Sequence, residues 1–65
     1  MRWTINWFGE VYPGDTKEWN SRETNSWAEA ITEFTFLNDE GIECYLEDNE
    51  YGCSLRWGSG APEWY

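Results

Sequence analysis

Branched aliphatic side chains are scarce in this chain, and aromatic rings take their place. The aliphatics are Ile5, Val11, Ile31, Leu37, Ile42, Leu46 and Leu55; against them stand six Trp, four Tyr and three Phe in 65 residues. With a formal charge of −9, so few aliphatics would ordinarily leave a chain disordered. Rings reverse that expectation, because each Phe, Tyr or Trp buries on the order of 150–250 Å². The chain is therefore read as a single domain, residues 1–65, built around a small Trp-rich core. A core of this size predicts modest stability, or stability helped by association.

The polar residues exclude several functions. Four Lys+Arg face thirteen Asp+Glu, with no His. Such a chain cannot neutralise phosphates, so direct nucleic-acid binding is excluded and an anionic membrane disfavoured. No apolar run approaches the roughly 18 residues needed to span a bilayer. The segment Met1–Asn6 lacks the apolar stretch of a signal peptide. The expected location is cytoplasmic, in whichever cell makes the protein. Cys44 and Cys53 are too few for a disulfide framework and cannot close a zinc site without His. A Cys44–Cys53 bond is open if the two face each other across a hairpin; in a cytosol the expectation is two reduced, half-buried thiols.

Secondary-structure signals are clearest near the start and middle. Trp3, Ile5 and Trp7 alternate with polar residues, which predicts a strand over about 2–8, ended or bulged at Gly9 or continued by Val11-Tyr12. Pro13-Gly14-Asp15 signals a turn. Residues 16–25 are polar and without clear period, and read as loop, with a short strand or helical turn around Trp19 left open. Ser26 with Glu29 three residues on forms a capping box, and Trp27, Ala30, Ile31 and Phe34 follow at helical spacing. This predicts a helix from 27 to about 36, with 34–37 readable as helix or strand. Gly41 suits a left-handed position after it.

Alternation then predicts strands over 42–47 and 52–57, joined by a turn through Asp48-Asn49-Glu50-Tyr51-Gly52. A two-residue loop would set Cys44 opposite Cys53; a four-residue loop would shift the register. Gly58 to Pro62 reads as a connector, making 58–65 a flexible tail. The fold class is α+β: a three- to four-stranded antiparallel sheet with one helix on a face. Trp3, Ile5, Trp7, Trp27, Ile31, Phe34, Ile42, Cys44, Leu46, Leu55 and Trp57 are the expected core.

Catalysis has little support, since no His is present and no nucleophile–base pattern occurs. An EF-hand loop beginning at Asp39 would place Glu50 correctly. Gly41 then falls where a ligand belongs, and Cys44 where glycine is required. No cofactor or metal site is expected.

The acids are unevenly placed. Residues 23–55 contain Glu23, Glu29, Glu33, Asp39, Glu40, Glu43, Glu47, Asp48 and Glu50 and no Lys or Arg. Elsewhere Glu10, Asp15, Glu18 and Glu63 balance Arg2, Lys17, Arg22 and Arg56. Two explanations are open: a solvated face that keeps a Trp-rich domain soluble, or a surface for a basic partner. On the second, Glu29, Glu33, Asp39, Glu40, Glu43, Glu47, Asp48 and Glu50 are the candidate partner-binding residues. Glu29 and Glu33 would lie about 6 Å apart on the helix, and Glu43 and Glu47 about 13 Å apart on one strand face. Such spacings are comparable with phosphates along a nucleic-acid backbone.

In size, acidity and simple α+β pattern, the chain resembles the small counter-defence proteins of bacteriophages, the anti-CRISPR and anti-restriction inhibitors. That resemblance implies a non-enzymatic inhibitor of a basic nucleic-acid-binding enzyme or complex, acting by nucleic-acid mimicry. The alternative is a protein- or glycan-binding module using Trp19, Trp64 and Tyr65, with acidity serving solubility. A third reading, a structural protein, would show as self-association, for instance a homodimer.

Overall fold

In the computed structural model, residues 1–10, 17–58 and 60–65 are described. The expected continuation Val11-Tyr12 and the Pro13-Gly14-Asp15 turn lie outside them. Among the described residues the elements run β1 (Trp3–Glu10), β2 (Lys17–Thr24), α1 (Trp27–Asp39), β3 (Cys44–Asp48), β4 (Cys53–Trp57) and β5 (Pro62–Trp64). The strands form one antiparallel sheet in the order β2-β1-β3-β4-β5. One helix on a five-stranded sheet is an α+β architecture, with more strands than the three or four expected.

The additional strands are the two at the edges. β2 takes up most of the stretch expected as loop, and β5 takes Pro62–Trp64 into the sheet. Neither carries an apolar alternation, because an edge strand is held by one ladder and needs no fully buried face. β2 pairs with β1 from Trp3↔Thr24 to Glu10↔Lys17, and the ladder runs through Gly9 without a bulge. Pro62 opens β5, where a missing N–H costs no internal ladder bond.

The helix begins where the sequence marks it. Ser26 Oγ accepts from the Glu29 N–H at 3.2 Å. The box closes through an intermediary: the Ser26 N–H donates to Thr24 Oγ1 at 3.0 Å, and the Thr24 hydroxyl donates to Glu29 Oε2 at 2.8 Å. Thr24 is buried at the end of β2, so the cap also ties that edge strand to the helix. The helix continues to Asp39, which settles 34–37 as helix. Its end is a Schellman closure: Ile42 N–H to Leu37 O at 2.9 Å and Gly41 N–H to Asn38 O at 3.0 Å. Gly41 has φ of 73°, as its position in the sequence predicts.

The core lies between α1 and one face of the sheet. Phe34, Ile5 and Leu46 are its largest fully buried side chains, joined by Trp3, Ala30, Leu37 and Leu55. Trp7, Ile31, Ile42 and Cys44 pack against this cluster half-buried. Two expected core residues are displaced outward: Trp27 is 43% exposed and Trp57 is 44% exposed. Trp27 occupies the first turn, against the Trp3 and Trp64 rings, and Trp57 ends a short strand beside the Phe34 ring. The smaller Ala30 and Leu37 fill the space directly under the helix.

The β3–β4 turn has four residues, Asn49 to Gly52, since Asp48 pairs with Cys53 and Leu46 with Leu55. Gly52 supplies the positive φ of 70°. This register moves Cys44 away from Cys53, and both thiols are free. Burial raises the Cys44 thiol's pKa, which keeps it protonated.

Candidate functional site

The acidic residues singled out in the sequence are dispersed by the fold. Glu29 and Glu33 lie on the flank of α1 that faces β2. Glu29 is engaged by Thr24, and Glu33 meets Arg22 with a nitrogen–oxygen distance of 3.4 Å. Glu47 lies on the sheet face opposite the helix, where Asn6 Nδ2 donates to it at 2.8 Å. The remaining five collect at the two ends of the helix, which are about 20 Å apart for a helix of this length.

Near the N-terminal end of the helix, Asp48 and Glu50 converge on Arg2. The Arg2 guanidinium donates to both Asp48 oxygens, at 3.3 and 3.2 Å, and reaches Glu50 Oε2 at 3.0 Å. Its carbon lies 4.6 Å from the Trp3 ring centroid and 5.4 Å from that of Tyr51. Asp48 also accepts from the Glu50 N–H at 3.0 Å. The Arg2 hydrogen bond, assisted by the backbone N–H groups of Glu50 and Tyr51, holds the Asp48 carboxyl below the usual carboxylate range despite its burial. Asp48 is thus a structural member of a strand-end clamp.

At the other end, Asp39, Glu40 and Glu43 are exposed on the last turn of α1 and the loop that follows. Among the described residues none of them forms an ion pair. The last helical turn holds no basic residue, so Asp39 and Glu40 add charge to the negative pole of the helix dipole. Stability alone would favour Lys or Arg there. Phe36, 57% exposed, lies one turn before Glu40 and adds an apolar contact point. This end gathers three exposed carboxylates, Asp39, Glu40 and Glu43, at the negative pole of the helix.

The three rings of the alternative reading are also separated. Trp19 lies on the open sheet face, 5.5 Å from both the Phe8 and Tyr45 rings, and Arg56 covers Tyr45 at 4.5 Å. Trp64 lies on the helix side, stacked against Trp27 at 6.2 Å. The Tyr65 hydroxyl donates to Glu63 at 3.2 Å. They therefore form no common platform. Phe8 and Tyr45 join Trp19 only through the β2–β1–β3 register, which a polar edge strand conceals in the sequence.

Among the described residues no group of three His, Cys, Asp or Glu is placed to hold a metal ion. No described helix is long and apolar enough to cross a membrane. Comparison with family models, with curated proteins and with solved structures returned no significant match.

Proposed function

We propose that this protein is a non-enzymatic inhibitor that binds a basic nucleic-acid-binding protein and blocks its access to DNA or RNA. The observation that carries the reading is the exposed group Asp39, Glu40 and Glu43 at the negative pole of α1, unpaired among the described residues. Like charge placed where a helix disfavours it costs folding stability. It is useful if a field of that sign must meet Lys and Arg on a partner. Glu29 and Glu33 extend the field along the helix flank. The same physics steers phosphates into a basic groove, with the charges exchanged between partners.

The test uses tagged protein to retain host proteins at low salt, followed by elution with duplex DNA. A nucleic-acid enzyme retained on the wild type, released by DNA and lost with Asp39→Asn/Glu40→Gln/Glu43→Gln supports the proposal. Retention that survives both DNA and the triple variant overturns it. Asp48 is unsuited to this test, because changing it would disturb the Arg2 clamp.

A second reading, an aromatic binding module, has one observation in its favour: Trp19 with Phe8 and Tyr45 on the open sheet face. The two differ in salt response. Affinity that falls steeply between about 50 and about 300 mM NaCl favours the carboxylates, and affinity indifferent to salt favours the rings.

A further inference from the structure

Three tryptophans meet at the N-terminal end of the helix. Trp3 and Trp27 have ring centroids 4.7 Å apart, and Trp27 and Trp64 are 6.2 Å apart and nearly parallel. With Arg2, Asp48 and Cys53 they line an open pocket of about 260 Å³. That is smaller than the usual range for a drug-sized ligand, and it suits the end of one side chain. Trp27 and Trp64 remain 43% and 51% exposed at its mouth. Large rings left half in water are the usual anchors of a protein interface.

Charge selects the occupant. Indole faces are the strongest aromatic attractors of cations. The chain already shows this preference, since the Arg2 guanidinium lies against Trp3 and Tyr51. Arg2 does not make the pocket positive, because Asp48 and Glu50 both bind it and leave one guanidinium against two carboxylates. The chain as a whole carries −9, which adds to the negative potential. A neutral apolar side chain would gain from the rings alone; a cationic one gains from the rings and from the negative field of the chain.

We propose that the Trp3–Trp27–Trp64 pocket receives a cationic side chain, Lys or Arg, projecting from the basic partner. This rests on the inhibitor reading and names a second contact point, at the far end of the helix from Asp39, Glu40 and Glu43. The partner would then be gripped at two places about 20 Å apart, one by field and one by a ring-lined socket.

Choline and its neutral isostere 3,3-dimethyl-1-butanol test the pocket without the partner. Indole N–H resonances are followed by NMR during titration with each. Choline should shift the Trp3, Trp27 and Trp64 signals and bind about tenfold more tightly than the isostere. Trp64→Ala should weaken choline by a similar factor, and Trp64→Phe should restore much of the loss. Because Trp64 belongs to a three-residue edge strand, unchanged dispersion of the remaining amide signals checks that both variants are folded. Equal affinity for choline and the isostere, or shifts confined to other tryptophans, would overturn the proposal. Asp39→Asn/Glu40→Gln/Glu43→Gln should leave choline binding within about twofold, since that end is distant. Choline binding without any DNA-displaced host protein would defeat the inhibitor reading alone. Partner binding unaffected by Trp64→Ala would defeat the socket alone.

Discussion

The two ends of the helix draw carboxylates from the same cation-free stretch and leave them in opposite circumstances. Asp48 and Glu50 are met by Arg2, which is remote in sequence and brought alongside by the β1–β3 ladder. Asp39, Glu40 and Glu43 follow the helix into a loop that no Lys or Arg approaches closely enough to pair among the described residues. The contrast shows that a run of like charge in a sequence is not a surface. Strand pairing decides which members are neutralised, and helix direction decides which are amplified.

The largest effect expected from this contrast is on binding. Asp39→Asn/Glu40→Gln/Glu43→Gln should reduce affinity for the basic partner by about tenfold or more at low salt, with most of the change in the association rate. Stopped-flow association at several ionic strengths measures it; an unchanged rate would place the contact elsewhere.

The next effect is on stability and has the reverse pattern. Asp48→Ala should lower the melting temperature more than alanine at Asp39, Glu40 or Glu43, because it leaves Arg2 without its buried partner. Equal shifts for all four would mean that the clamp contributes nothing. Acid should act at the same place. The folded Asp48 pKa lies below its unfolded value, so its stabilisation is complete above the unfolded value, near pH 4, and is lost as pH falls through the folded one. Thermal melts between about pH 5 and pH 2 should show that loss, and Asp48→Asn should flatten it.

The smallest effect sharpens the comparison from the unpaired side. Glu40→Lys replaces a carboxylate by an ammonium at the negative pole of α1 and should stabilise the fold by about 0.3–1 kcal/mol. Thermal unfolding at low salt reads it directly. A destabilised variant would mean that Glu40 makes a favourable contact in solution and is not held there against the dipole.

How much of this was legible in the chain differs by element. The alternation of Trp3, Ile5 and Trp7 placed β1, and the Ser26–Glu29 box and Gly41 bracketed α1. Each of these signals is local. The extension of α1 to Asp39 was ambiguous, because Phe34-Thr35-Phe36-Leu37 fits either period until Leu37 is seen under the helix. Of the candidate carboxylates, nothing in the sequence distinguished Asp48, which is clamped, from Asp39, which is not. The Trp pocket was equally hidden. Trp3 and Trp27 looked like core and Trp64 like tail, and only the Leu55↔Trp64 pairing brings the third ring to the other two.

By itself the sequence determined the central strands, the helix and its caps, the aromatic character of the core and the total charge. These follow from period, from capping chemistry and from composition, which depend on near neighbours or on none. Tertiary structure alone decided the two edge strands, the four-residue turn that separates Cys44 from Cys53, the pairing of Arg2 with Asp48 and Glu50, and the exposure of Trp27 and Trp64. Edge strands need no apolar face, so no pattern announces them. Ion pairs and ring clusters depend on register, and a shift in register changes which side chains stand opposite one another.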